Sequence, residues 1–521
     1  MTCGERSQVN GAHALLKTLV DSGVGVCFAN PGTSEMHFVA AIDDEPGMRC
    51  VLGLFEGVAT GAADGYARIT GRPAATLLHL GPGMANGMAN LHNARRARVP
   101  MVNIVGDHAT FHSQFDAPLN SDIETVARTF SGWTSRPTQT RDIGSAAASA
   151  VAAALTPPES ISTLILPANV SWGDGAEPAA PVPTPRREVV DGDSVGAIAK
   201  LLTSGERCVL LLGGGATNAQ ACTDARRIAT ATGAEVLLET SCANLSRGGG
   251  LAPIARLNYR AGAATRQLQG TDHLILVDAK PPIAFFAYPD RPSQLVPDGC
   301  EVHELCGPAA DANDALARLV DRLGAAPVPA TPTSRPDLPT GELTAATAAA
   351  AIAALLPEDA IVIDEGVSSG GQVAQATALG PRHSWLNVMG GAIGIGLPLA
   401  VGASVAARGR KVVGLQADGS SMYTIQALWT HAREKLDTTT IIFNNGSYNI
   451  LRDELRRVGA TEGPKALDLL DLTRPEIDFV ALANGMGVDA ERATTADEFV
   501  SSLARALEDS GPRLVEVRLP R

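Results

Sequence analysis

Residues 411–449 read KVVGLQADGSSMYTIQALWTHAREKLDTTTIIFNNGSYN. An apolar run ends on an acidic turn at Asp418, a helical stretch follows, and a second run rich in β-branched residues ends on Asn444-Asn445-Gly446. Short apolar runs bounded by turn formers are the signature of buried strands. The segment therefore predicts strand, acidic turn, helix near Ser420, strand and Asn-Gly turn. Asp418 and Asn445 stand 27 positions apart, each just beyond a strand. Alone, Asp-Gly and Asn-Asn-Gly are ordinary turn chemistry. Together, in a parallel sheet, they place two oxygen-bearing side chains beyond the carboxyl ends of strands, where such sheets bind ligands.

The same alternation extends outward from this segment. AIVIDEG (360–366) and RLVEVRL (513–519) read as further strands, as do MVNIVGD (101–107), STLILPANV (162–170), CVLLLGGG (208–215) and HLILVDA (273–279). Ala-rich helical stretches such as NAQACTDARRIATATG (218–233) separate them. Strands alternating with helices predict an α/β protein built of doubly wound parallel sheets. Two proline-rich stretches, 173–190 and 324–343, cannot continue helices or central strands and read as linkers. They divide the chain into three expected domains, 1–175, 190–325 and 342–521.

Composition excludes several classes of function. The formal net charge is −13, which argues against a nucleic-acid or anionic-membrane partner. The one basic run, HNARRARVP (92–100), is short and reads as a solvated or interface helix end. The eight cysteines, at positions 3, 27, 50, 208, 222, 242, 300 and 306, form no C-x-x-C pair or zinc spacing. Scattered thiols of this kind suit a reducing, cytoplasmic compartment. The N-terminus has no apolar signal-like core and reads as an amphipathic helix, and no apolar run is long enough to span a membrane.

A second informative stretch is VLGLFEGVATGAADGYAR (51–68), where Glu56 directly follows an apolar run. The bland reading is a buried Glu paired with an arginine such as Arg68. Taken with ADGSSMYTIQALWT (417–430), NNGS (444–447), NPGTSEMHF (30–38) and LLHLGPGMANG (77–87), the chain resembles thiamine diphosphate-dependent enzymes over nearly its whole length. The likeness is to acetolactate synthase large subunits and to benzoylformate decarboxylase.

That resemblance implies a pyrimidine-binding domain, a middle domain and a diphosphate-binding domain, in that order. It implies Mg²⁺ held by Asp418, Asn445 and the Ser447 carbonyl, an all-oxygen set of the kind Mg²⁺ prefers. Gly419 and Ser420 would face the diphosphate from a helix N-terminus, with Ser368 of DEGVSSGG (364–371) on a phosphate. Gly391 and Ile393, in MGGAIGIGLP (389–398), would hold the aminopyrimidine through a carbonyl and support the bent cofactor. Glu56 would bond the pyrimidine nitrogen, best in a dry pocket. His79 would move protons at the reaction centre, and Thr33 would face the substrate carboxylate. The implied reaction is decarboxylation or carboligation of a 2-oxo acid through an enamine, in a homodimer or homotetramer with active sites at subunit interfaces.

Departures from the pattern bear on the substrate. Ala417 replaces the usual Gly before the metal Asp, and AKPPIAFFAYPD (279–290) lacks the second histidine of benzoylformate decarboxylase. Glu454, in ILRDELRRVG (450–459), stands near an aromatic pocket position of that enzyme. A carboxylate there fits a polar or cationic substrate group, or it simply points outward from a solvated helix. Two other readings stay open. One is an FAD-containing acetolactate synthase catalytic subunit, with GGG (213–215) near the nucleotide; FAD is not favoured, because GGG after a strand is weak evidence. The other is a non-catalytic partner paralogue, against which Glu56, Asp418 and Asn445 argue.

Overall fold

The computed structural model describes residues 9–289 and 291–520. Three sheets alternate with helices along the chain. The first comprises β1 (Val26–Asn30), β2 (Arg49–Leu52), β3 (Ala74–Leu78), β4 (Met101–Asp107), β5 (Trp133–Ser135) and β6 (Ile161–Pro167), in the order β2-β1-β3-β4-β6-β5. The second contains β7 (Cys208–Leu212), β8 (Glu235–Leu238), β10 (Ala255–Arg256), β11 (His273–Val277) and β12 (Glu301–Cys306), in the order β10-β8-β7-β11-β12. The third gathers β13 (Ala360–Glu365), β14 (His383–Asn387), β15 (Val412–Ala417), β16 (Thr438–Asn444), β17 (Asp489–Ala493) and β18 (Arg513–Arg518), in the order β17-β18-β16-β15-β13-β14. Pairing is parallel throughout, with one exception: β9 (Leu245–Arg247) leaves the middle segment and pairs antiparallel with β14.

The central strands are buried from end to end, β4, β6, β7, β11 and β16 among them. Both faces of each are covered by helices, which is why their sequences run apolar rather than alternating. The sheets do not keep separate interiors. One apolar cluster runs from Val26, Phe28 and Leu78 of the first sheet to Ile442 of the third and to Leu397 and Val401 of the helix Gly396–Ala406. Another joins Leu210 and Ile275 to Val362, Trp385 and Phe443.

The first of these junctions is made by small residues. The helix Glu56–Thr70 lies directly on the helix Gly396–Ala406. A Cβ on Gly402 would stand 1.8 Å from the Ala62 carbonyl oxygen, and one on Gly65 would stand 2.3 Å from that of Leu399. The helix Glu56–Thr70 then ends at Gly71, whose φ of +67° forms the left-handed cap that glycine accepts without strain. Arg68, near this end, chelates Asp64 one turn earlier with two 2.7 Å bonds, both side chains buried. Its remaining nitrogen donates to the Asn387 carbonyl at 2.6 Å, tying the first segment to the end of β14.

The basic run behaves as an interface helix end. Arg98, at φ +53° just past the helix Leu80–Arg96, donates to Asp278 beyond β11 at 2.5 Å. Cys3 lies outside the described residues, and the other seven cysteines are free thiols. Among the described residues, no helix is long and apolar enough to cross a membrane.

Candidate active site

β15 and β16 are neighbours, with Ala417 opposite Phe443, so the turns that follow them lie side by side. The Asp418 carboxylate, buried in the first of these turns, accepts the backbone N–H groups of Gly419 (2.7 Å), Asn445 (3.1 Å) and Gly446 (2.8 Å). Burial raises its pKa, and these amides oppose the shift. Asn445 is half-buried, and its Oδ1 accepts from the Ser447 N–H at 3.0 Å. Ser447 is buried and its hydroxyl donates to Leu470. Gly419 and Ser420 are also buried, and a Cβ on Gly419 would stand 2.3 Å from the Tyr448 ring. The helix expected near Ser420 begins at Asp418 and lasts only to Ser421; a separate helix starts at Ala427.

The 390–396 turn forms a second wall. Gly391 is exposed at φ +76°, with Phe285 of the 279–289 strap packed so close that a Cβ would stand 2.7 Å from the ring. Ile393 is half-buried. The wholly buried Glu365 holds this turn, accepting N–H bonds of 2.6 Å from both Gly394 and Gly396. Burial, against those donors, pushes its pKa up to about 7. Ser368 is exposed beside Val367, a non-glycine residue at φ +46°. Left-handed backbone of this sort is a store of strain that clusters at functional turns.

Glu56 opens its helix in a third cluster. It is 6% exposed, and its Oε2 accepts from Asn86 Nδ2 at 2.9 Å. Arg68 is committed to Asp64, so the arginine partner considered for Glu56 is taken. A Cβ on Gly83 would lie 3.1 Å from Glu56 Oε1 and 3.4 Å from His79 Cβ, so this glycine keeps both side chains close. His79 stands at the N-cap of the helix Leu80–Arg96 but makes no capping bond. Instead its Nδ1 lies 2.8 Å from Glu35 Oε2.

Glu35 is fully buried and also accepts from the Gly32 N–H at 2.7 Å. Its Oε1 has no partner among the described residues, and its pKa is raised by desolvation. Glycines make room for the pair: a Cβ on Gly32 would fall 2.2 Å from His79 Nδ1, and one on Gly106 would fall 1.6 Å from Glu35 Oε1. Thr33, next to Gly32, is exposed.

The structure thus brings Thr33, Glu56 and His79 together on the first sheet, and Asp418, Gly419, Ser420, Asn445 and Ser447 together on the third. Sequence reasoning missed Glu35, Asn86 and Glu365. Only Glu35 left a trace, as a charge directly before the apolar helix of NPGTSEMHF. Glu454 does not take the outward course expected of a solvated helix face. Its carboxylate accepts from the Tyr288 hydroxyl at 2.6 Å and is bonded by Arg457, so it neither points to solvent nor offers an unpaired charge. Beside it, Arg260, Arg266, Arg291 and Arg457 line a cavity of about 240 Å³.

Profiles of known families match at both ends of the chain. Residues 9–125 match the thiamine pyrophosphate enzyme N-terminal TPP binding domain, and residues 367–517 match the C-terminal TPP binding domain. IlvX of Mycobacterium tuberculosis, provisionally named an acetolactate synthase large subunit, is 57% identical over 98% of this chain and 99% of its own. Benzoylformate decarboxylase of Pseudomonas aeruginosa is 32% identical over 95% and 96% of the two chains. The solved structure of a thiamine diphosphate-dependent 4-hydroxybenzoylformate decarboxylase from Rhodococcus jostii RHA1 superposes with a TM-score of 0.86 at 27% identity, covering 98% of this chain and 99% of that one. Three doubly wound sheets with polar turns beyond their strands define a cofactor-dependent α/β enzyme fold. The chain belongs to the thiamine pyrophosphate enzymes, in the branch related to acetolactate synthases and benzoylformate decarboxylases.

The residues present fit the cofactor that this family implies. The Asp418–Asn445–Ser447 turn presents oxygen donors only, as a hard cation bridging a diphosphate requires. Gly83 and Gly419 let the site's own side chains close in, Glu56 and His79 beside the first and the Tyr448 ring beside the second.

Proposed function

We propose that the chain is a thiamine diphosphate- and Mg²⁺-dependent enzyme that decarboxylates 2-oxo acids, joins them to a second carbonyl compound, or both. The observation that carries this reading is the Asp418 carboxylate, buried and wrapped by the Asn445 turn at the carboxyl ends of β15 and β16. Asp418, Asn445 and the Ser447 carbonyl would hold the metal. Gly419, Ser420 and Ser368 would face the diphosphate, with Gly391 and Ile393 on the aminopyrimidine. When bound, the cofactor supplies the nucleophilic carbon and the electron sink.

The remaining steps belong to the chain. Glu56 shares a proton with the pyrimidine nitrogen from a nearly dry position. Glu35 accepts a hydrogen bond from the Nδ1–H of His79 and so leaves Nε2 to carry a proton to or from the reacting carbon. Thr33 orients the substrate carboxylate. Glu454 is bonded by Tyr288 and Arg457, and Arg266 and Arg291 also line the nearby cavity, which supports a substrate with an acidic rather than a cationic substituent.

The FAD reading finds little support at the GGG turn. The Gly215 N–H already donates to Asp278 at 2.7 Å and is not free for a nucleotide phosphate. We further propose 1–175, 190–325 and 342–521 as domains, a cytoplasmic location, and active sites shared between subunits of a homodimer or homotetramer. The test is reconstitution. Dialysis against chelator should abolish turnover on a panel of 2-oxo acids, and Mg²⁺ with thiamine diphosphate should restore it. Activity that survives chelation would sink the proposal, and a yellow protein carrying flavin would revive the alternative.

A further inference from the structure

The middle sheet carries a separate cluster of ligating side chains, at the opposite end from the GGG turn. β11 begins at His273 and the edge strand β12 at Glu301, and their parallel register sets His273 beside Glu301 and Ile275 beside His303. Strand alternation therefore places His273, Glu301 and His303 on one face. His273 Nδ1 and His303 Nε2 are 3.1 Å apart, and Glu301 Oε2 lies 3.8 Å from the first and 3.7 Å from the second. The two carboxylate distances are too long for hydrogen bonds. A point equidistant from three atoms so spaced lies about 2.1 Å from each, the length of a zinc bond to imidazole nitrogen or carboxylate oxygen.

A second observation concerns how His273 is held. It is buried, and its Nε2 lies 2.8 Å from Glu206 Oε2. A carboxylate in that place keeps the proton on Nε2 and turns the Nδ1 lone pair towards the other two groups. The backbone supports this: the His273 N–H donates to the Arg207 carbonyl, and the Arg207 N–H donates to the Asp272 carboxylate at 2.8 Å.

We propose that His273, Glu301 and His303 bind a divalent transition-metal ion of the zinc type, with Glu206 as a positioning residue. This goes beyond the cofactor chemistry above and does not depend on it. Two imidazoles and one carboxylate suit Zn²⁺ and not Mg²⁺, which takes oxygen ligands. Glu301 and His303 reach towards solvent, so water completes the shell. The ligands sit at the amino ends of their strands, whereas the cofactor residues sit beyond carboxyl ends. The ion therefore clips the edge strand β12 to β11 and takes no part in turnover.

The experiment is calorimetric titration of ZnCl₂ into tag-free, chelator-treated full chain already loaded with Mg²⁺ and thiamine diphosphate. One zinc ion per chain should bind, and zinc should raise the melting temperature. His303→Ala should weaken binding at least tenfold and cancel the thermal shift, while leaving turnover unchanged. Glu206→Gln, one step removed from the ion, should weaken binding about 10–100-fold. Equal zinc affinity in wild type and His303→Ala would overturn the proposal, as would no binding at all by the wild type. Since His303 lies near the surface on an edge strand, its replacement leaves a folded chain to measure.

Discussion

At the residue scale, Glu56, Asp418 and His79 each do a different job, and each can be removed alone. Glu56→Gln keeps the 2.9 Å contact to Asn86 in reach of a side chain of the same shape, so the protein should fold and bind cofactor. It cannot share a proton with the pyrimidine nitrogen, and C2 proton exchange followed by NMR should slow by about 10²–10⁴. Exchange at the wild-type rate would make Glu56 structural. Asp418→Ala removes the only carboxylate proposed for the metal and should weaken Mg²⁺-dependent cofactor binding at least tenfold, as read by fluorescence titration. His79→Ala should hurt aldehyde release more than carbon–carbon bond formation, because ligation does not require a proton on the same carbon. The aldehyde-to-acyloin ratio, measured with an aldehyde acceptor present, should therefore fall. If ratio and turnover both stay unchanged, the His79–Glu35 pair is packing.

At the scale of elements, the crossing of helices Glu56–Thr70 and Gly396–Ala406 decides where Glu56 stands. Gly402 meets backbone on the other helix, so no side-chain motion can relieve an added methyl group. Gly402→Ala should cost about 1–3 kcal/mol in urea unfolding. Gly485→Ala, where nothing lies within 4 Å of the new Cβ, should be neutral or slightly stabilising.

The helix Ala427–Arg433, packed on Gly396–Ala406, gives stability a pH dependence. His431, wholly buried, lies 3.1 Å from the Leu397 carbonyl and 2.7 Å from the Thr438 hydroxyl, and burial pushes its pKa down to about 4. A base with a depressed folded pKa contributes stability above its unfolded value of about 6.5, and that stability is lost as pH falls towards 4. The loss should approach about 3 kcal/mol on the scale of the shift. His431→Gln should therefore flatten the melting-temperature profile between pH 6.5 and 4 relative to wild type. The raised carboxyl of Glu365 works in the opposite sense, losing stability as pH climbs through about 7, and it cancels in that comparison. Parallel profiles for the two proteins would refute the assignment.

At the scale of the whole molecule, Glu56 and Asp418 belong to clusters on different sheets, and the proposed active site needs both. If the site forms between subunits, mixing inactive Glu56→Gln with inactive Asp418→Ala and allowing exchange should restore part of the activity. Sedimentation should show at least a dimer. A fully active monomer would exclude the arrangement.

The sequence by itself determined the elements that rest on local physics. Buried strands such as Met101–Asp107 and Thr438–Asn444 were legible because continuous apolar runs bounded by turn formers have few other folded uses. Asp418, Asn445 and Glu56 were legible because chain direction puts a residue that follows a parallel strand at the ligand end of the sheet. Tertiary structure alone decided the rest. β9 joined the third sheet from the middle segment because its pairing partner lies 136 to 140 positions away, with Leu245 opposite Trp385 and Arg247 opposite His383. The edge strand β12 reads EVHELC, with three polar residues in its first four and neither an apolar run nor a regular alternation to mark it. Glu35 met His79 across 44 residues, and Arg68 met the Asn387 carbonyl across 319. Partners of this kind are selected by which surfaces the packed sheets bring together, and no local pattern in the chain records that choice.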